Sequence, residues 1–253
     1  MTDHLVQYLQ DVVAPSDNGC VTFLALSDEE TAALESDDRS GLTVRPWIES
    51  QDRLDAESAA VFGRRSLYMR GLATIDQEPG GYALNLTQQL QFAVDARHLG
   101  VGYIFAQATQ NGQRTGRNNV LQSRVGTFEE DIDDFGIHRL SGCTYRAALQ
   151  RLAAWATPPS SSGQPIRESV PARRWQRWAS KELGPNVRTV EISLALPDGN
   201  GSFAESVWYT AFGNGSSILG VPAGGSINVS SATPSQLEYA LAEQVTAALG
   251  VAV

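Results

Sequence analysis

One pattern occurs twice in this chain, and it constrains the fold more than any other feature. "SGCTYRAALQRL" (141–152) and "SSATPSQLEYAL" (230–241) each place a Thr after a strand-like stretch and before an amphipathic helix. In the second, Thr233 is suited to cap the helix through its hydroxyl. Pro234 fits the first helical position, where no amide hydrogen is needed, and Gln236 completes a Thr-x-x-Gln box. The first copy has Tyr145 and Ala147 in those places, so its helix start is less sharply fixed.

The segments leading to these helices also correspond. Asn111-Gly112 closes "YIFAQATQNG" and Asp198-Gly199 closes "VEISLALPDG", both hairpin-turn pairs, 87 residues apart. The same offset carries Val120 to Val207, Val125 to Phe212 and Gly126 to Gly213, read as the body and end of a second strand. Beyond them the offset is 89, carrying Gly136 to Gly225, Leu140 to Val229, Thr144 to Thr233 and Leu152 to Leu241, as a two-residue insertion in one turn would produce. Upstream, Leu99-Gly100 answers Leu183-Gly184.

Each half therefore reads as helix, four short antiparallel strands, helix. Two such units do not easily cover their own sheets. The economical solution is a single pseudo-two-fold duplicated α+β domain over 1–253, with a shared, mostly antiparallel central sheet flanked by helices. The N-terminal half is 1–156, with its repeat unit at about 87–156, and the C-terminal half is 172–253. Between them "TPPSSSGQPIRESVP" (157–171) is dense in Pro and Ser and is expected to be an exposed connection without regular structure.

Ahead of the repeat, "MTDHLVQYLQDVV" reads as an amphipathic helix, without the basic start and apolar core of a signal peptide. "CVTFLAL" (20–26) reads as a buried strand, Ser27 as the start of an acidic-ended helix, and 36–50 as loop. A helix from about Leu54 to Arg70 leads through Gly71 into a hairpin, "LATI", "EPGG", "YALNL", and Thr87 caps "QQLQFAVDARHLG". After the linker, "ARRWQRWASKELG" is a helix whose Trp175 and Trp178 read as a core-facing pair.

The formal net charge of −9 works against a nucleic-acid backbone as partner. Lys181 is the only lysine, a bias read as that of a GC-rich genome. Cys20 and Cys143 sit in apolar or small-residue settings and are expected to be inert buried thiols. No stretch is long and apolar enough to span a membrane, and the expected location is cytoplasmic.

Chemistry-bearing motifs are absent or incomplete. Asp131, Asp133 and Asp134 in "FEEDIDDFG" (128–136) open like a calcium loop, but Gly142 stands where its closing Glu belongs, leaving a hairpin with solvated carboxylates. His4, His98 and His138 lack metal-ligand spacing, and "FGNGSSILG" (212–220) matches neither a phosphate loop nor a nucleophile elbow. No catalytic, metal or cofactor residue is assigned. "QNGQRTGRNN" (110–119) reads as a long polar hairpin loop carrying Arg114 and Arg117, either a binding element or a mobile tip. The helix-plus-hairpin at 54–86, with Arg64, Arg65 and Arg70, leaves a winged-helix DNA-binding regulator as an alternative, and an enzyme without a recognisable motif as another.

The succession of "RRSLYMRGLA", a strand-rich half, a polar linker, "VEISLALPDGNGSFAESVWYTAFGNGSSILGVPAG" and "ATPSQLEYALAEQV" resembles the EspG proteins, cytosolic chaperones of type VII (ESX) secretion in mycobacteria and related actinobacteria. The resemblance covers roughly 64 to 250. The chain departs from the family in being shorter, in its compact second half and in its Pro/Ser linker. The resemblance implies a non-enzymatic cytoplasmic protein without cofactor that binds the helical tip of a PE/PPE- or WXG-like secretion substrate, and neither nucleic acid nor membrane. It points to the strand Val207–Phe212 and the helix after Thr233, hence to Trp208 and Tyr209. Arg114 and Arg117 join them on the strength of their loop.

Overall fold

The structure, a computed structural model, describes residues 19–35, 44–51, 54–79, 81–122, 126–158, 166–198, 200 and 202–251. The expected N-terminal helix lies outside the described residues. In chain order the elements are β1 (Cys20–Ser27), α1 (Asp28–Leu34), α2 (Pro46–Ser50), α3 (Ala56–Met69), β2 (Ala73–Glu78), β3 (Gly81–Leu86) and α4 (Gln88–His98). Then come β4 (Gly102–Gln110), β5 (Gln113–Gln122), β6 (Gly126–Ile132), β7 (Ile137–Cys143), α5 (Tyr145–Ala156), β8 (Arg167–Pro171) and, after one 3₁₀ turn, α6 (Trp175–Leu183). The chain closes with β9 (Arg188–Pro197), β10 (Phe203–Gly213), β11 (Ser216–Ala223), β12 (Ser226–Ser231) and α7 (Pro234–Leu249).

Ten strands form one antiparallel sheet in the order β1-β7-β6-β5-β4-β9-β10-β11-β12-β8, and β2 and β3 pair as a separate hairpin. The halves meet at β4 and β9, registered from Tyr103 opposite Ala195 to Thr109 opposite Thr189. Outward from that seam each half is a meander of adjacent strands closed by a strand from earlier in the chain, β1 on one side and β8 on the other. Asn111-Gly112 turns as expected, while Gly199 of the Asp198-Gly199 pair lies outside the described residues. Asn111-Gly112 and Asn214-Gly215 both take positive φ at each residue, the primed geometry that matches strand twist.

Strand alternation sends one set of side chains to each face. On one face Ile104, Ala106, Val190, Ile192, Leu194 and Trp208 pack beneath α5 and α7, which contribute Leu149, Leu152, Leu237, Leu241 and Val245. Thr144 and Thr233 cap these two helices as expected, and of the two only Thr233 also donates its backbone N–H to the side chain three residues on, Gln236 Oε1. The opposite face is covered in two places. Leu67, Leu90, Phe92 and Ala96 of α3 and α4 lie on Phe128 and Leu140, and Trp175, Ala179 and Leu183 of α6 lie on Ala211, Ile218 and Ile227. Trp178 stacks on Trp175 at 5.8 Å and completes the expected tryptophan pair.

Several expectations change. Cys20 and Cys143 are register partners on β1 and β7 and form a disulfide, because antiparallel pairing across 123 residues brings together two thiols whose local settings look inert. The 157–171 stretch is not wholly irregular: β8 pairs with β12 at the sheet edge, where Pro171 sacrifices no ladder bond. Residues 113–122 are strand rather than a long loop, since the two-residue turn at 111–112 lets β5 start at once. Pro46 opens a short helix inside the segment expected to be loop. Gly126 starts the third strand of its half whereas Gly213 ends the second of the other, so that part of the 87-residue correspondence fails; Val125 lies outside the described residues.

Candidate partner-binding face

Between the coverings of α4 and α6, the middle of the sheet's second face stays open. Its side chains fall in rungs across β4, β9 and β10: Tyr103, Ala195, Glu205; then Phe105, Ser193, Val207; then Gln107, Glu191, Tyr209, with the buried Val120, Asn118 and Gly116 of β5 continuing the rungs at its edge. Tyr103 and Phe105 stack in parallel with centroids 5.9 Å apart, Phe203 leans on Tyr103 at 5.9 Å, and Phe203 is 50% exposed. Such ring contacts are each worth about 0.5–1.5 kcal/mol beyond area burial. They hold a broad apolar surface in place while leaving it accessible. A cleft of about 330 Å³ opens here, with Glu35, Arg97, Tyr103, Phe105, Phe203 and Glu205 among its walls.

Beneath the cleft lies a chain of buried charges. Arg97 bridges Glu35 at 3.0 Å and Glu130 at 3.1 Å, and Arg45 also pairs with Glu35. Glu130 Oε1 is 2.7 Å from His138 Nδ1, and His138 Nε2 is 2.7 Å from Asp28 Oδ1. The other oxygen of Asp28 accepts from the backbone N–H groups of Trp47 and Ile48, which fixes the start of α2. Burial alone would raise the Glu130 pKa, but Arg97 and His138 overcome it and hold the carboxyl at about 2. Burial would lower the His138 pKa, and hydrogen bonds to Asp28 and Glu130 outweigh it, so the imidazole stays protonated above its ordinary range. Only the imidazolium donates from both nitrogens. His138 is wholly buried with both nitrogens engaged, so this network positions the cleft floor.

The "FEEDIDDFG" carboxylates are accordingly not all solvated: Glu129 and Glu130 are buried, Glu129 against Arg151 and Glu130 against His138. No group of three or more His, Cys, Asp or Glu among the described residues is placed to hold a metal.

The four residues singled out from sequence divide between the faces. Arg114 and Tyr209 are on the open face. Arg114 is ion-paired with Glu49 and hydrogen-bonded to Gln107, while Tyr209 leans on Trp175 at 5.7 Å. Three strand spacings, roughly 14 Å, separate them. Arg117 and Trp208 point the other way. Arg117 is buried, paired with Asp131 at 2.9 Å and set over the Trp155 ring, and Trp208 belongs to the core beneath α5 and α7. Sequence reasoning missed Tyr103, Phe105 and Phe203. The available signal was the alternation in "GYIFAQATQ", which puts Tyr and Phe on the face opposite Ile104 and Ala106.

For the DNA-binding alternative, Arg70 is committed: its guanidinium binds Glu30 and the Ala25 carbonyl, leaving only Arg64 and Arg65 outward.

A ten-stranded antiparallel sheet with helices on both faces and an open window in its middle defines an α+β fold. No protein-family model matches the sequence, and no curated protein does. Among solved structures, the chain is similar to one in the structure of the Mycobacterium tuberculosis type VII secretion system chaperone EspG5 in complex with the PE25-PPE41 dimer. The TM-score is 0.53 at 10% identity, covering 89% of this chain and 96% of that one. The likeness is one of fold, and it is to the EspG fold that the resemblance in sequence pattern had pointed. Among the described residues, no helix is long and apolar enough to cross a membrane.

Proposed function

We propose that this protein is a non-enzymatic, cytoplasmic, chaperone-like binding protein that holds a helical secretion substrate of the PE/PPE or WXG kind against the open window of its sheet. The observation that carries the reading is the window itself: three central strands present stacked Tyr103 and Phe105, the exposed Phe203 and the acidic Glu191 and Glu205 where the rest of that face is covered. A soluble protein that leaves an apolar patch at the centre of its sheet, framed by helices and rimmed by charge, has the anatomy of an interface core and rim. The similarity to EspG5, solved with the PE25-PPE41 dimer, supports the same class of client.

In this reading Tyr209 and Arg114 contact the client at the two sides of the window, and Arg117 and Trp208 support it from the opposite face. The two halves, 1–156 and 172–253, act as one domain descended from a duplicated unit. No cofactor, nucleic acid or membrane takes part. The experiment is co-expression of the full chain with each PE/PPE- or WXG-like pair of its source genome. One pair should co-purify in a stoichiometric complex, and the Phe105→Asp variant should lose it while keeping its fold by circular dichroism. Recovery of no pair by the folded wild-type chain would refute the reading.

A further inference from the structure

Helix α3 is apolar on two sides, and only one has a use inside the molecule. Ala59, Gly63 and Leu67 are buried, and Gly63 lies so close to α1 that an added Cβ would collide with the Glu29 carbonyl. The second stripe is in solvent: Val61 is 53% exposed, Phe62 59%, Tyr68 52% and Met69 73%. An amphipathic helix packed on a core has one apolar stripe, so a second one marks an interaction surface. The β2–β3 hairpin makes it a groove. Its Ala73–Leu86 rung is anchored to the core beside Leu67, and in the next rung Leu84 also packs against that core while Ile75 is 42% exposed. Between hairpin and helix lies a groove of about 360 Å³ lined by Val61, Arg64, Arg65, Tyr68, Ile75 and Leu84. Arg64 and Arg65 are exposed and make no ion pair among the described residues, in a chain whose net charge is −9.

We propose that this groove seats an amphipathic helix of a partner protein, with an apolar stripe at three- and four-residue spacing flanked by Asp or Glu. Val61, Arg64 or Arg65, and Tyr68 form an i, i+3/i+4, i+7 ridge, the surface a second helix packs against at 8–10 Å. The two arginines at its middle select acidic flanks, and a basic helix is repelled there. A strand added to the hairpin edge would engage backbone and leave both arginines unused. This surface is separate from the sheet window and goes beyond the chaperone reading.

The probe is a stapled helical peptide with Leu along one stripe and Glu on both flanks, compared with a twin carrying Lys for every Glu, each titrated against the full chain by fluorescence anisotropy. The acidic peptide is expected to bind about tenfold or more tightly than its twin, a difference of about 1.4 kcal/mol. The Arg64→Glu, Arg65→Glu double variant should reverse that preference. Tyr68→Asp, exposed and harmless to folding, should abolish binding of both, while Ser193→Arg in the sheet window should leave it unchanged, which separates failure here from failure of the chaperone reading. Equal affinities, no binding, or binding indifferent to Tyr68→Asp would overturn the proposal. So would a salt-sensitive shift of a DNA duplex lost in the double arginine variant, or self-association lost in Tyr68→Asp, since these assign the groove to nucleic acid or to a second copy.

Discussion

The two halves of the sheet carry the same order of elements and cover their second face by different physics. At the offset of 89 that relates Leu140 to Val229, His138 corresponds to Ile227, and the register places Glu130 opposite Leu140 as Gly220 lies opposite Val229. In the C-terminal half, Gly220 and Ile227 lie beneath Trp175, so the contact is apolar and a Cβ on Gly220 would meet Ile227 and the indole. In the N-terminal half, Glu130 and His138 join Asp28, Arg97 and Glu35 in a buried chain of charges. The same order of elements thus goes with a hydrophobic seat in one half and an ionic one in the other. The ionic one sits under the window, where it fixes Arg97 and Glu35 at the cleft and orders the start of α2.

The comparison is most severely tested by removing its centre. His138→Ala leaves Asp28 and Glu130 buried without their shared cation and should cost about 3–5 kcal/mol in denaturant unfolding. Ile227→Val at the corresponding place should cost only about 0.5–1.5 kcal/mol. A smaller loss for His138→Ala than for Ile227→Val would mean that the charges do not hold this half together.

The edges differ as well: β1 is stapled to β7 by the Cys20–Cys143 bond, while β8 pairs with β12 without a covalent link. Cys143→Ser should lower stability by about 2–4 kcal/mol in oxidised protein. Reduced wild-type protein should match the variant.

The pH dependence should follow the halves too. The folded pKa of His138 is raised, so its contribution is full below the ordinary 6.5 and is lost as pH rises through the raised value. The folded pKa of Glu130 is lowered to about 2, so its contribution is full above 4.5 and is lost as pH falls toward 2. Amide exchange corrected for intrinsic rates should show β6 and β7 losing protection relative to β11 and β12 between mildly acidic and alkaline pH. Parallel changes in both halves would dissolve the contrast.

The smallest effect concerns the helix caps. Thr144→Ala and Thr233→Ala should each cost about 1 kcal/mol, with Thr233 the costlier because its hydroxyl also donates to Gln236 Oε1. Thermal unfolding of the two variants reads the difference.

What could be read from the sequence was local chemistry. Ser27, Thr87, Thr144 and Thr233 cap the helices they precede, and Asn111-Gly112 turns where it should, because a cap or a tight turn is decided within a few residues. What was not legible depends on partners far apart in the chain. "FEEDIDDFGIH" looks like a wet hairpin until Asp28 and Arg97 arrive to pair with its Glu and His. Cys20 looks inert until β1 pairs with β7. Trp208 and Tyr209 are adjacent and similar in character, yet strand alternation buries one beneath α5 and α7 and turns the other toward the window, and sequence did not say which.

In the proposed binding mode the client lies on the middle of the sheet, and Ser193 stands in its central rung between Phe105 and Val207. The most direct test is calorimetric titration of a co-purifying helical pair against wild-type chain and Ser193→Arg, with circular dichroism confirming equal folding. The account predicts a loss of affinity of about a hundredfold or more, equivalent to about 2.7 kcal/mol. Unchanged affinity in Ser193→Arg would contradict it.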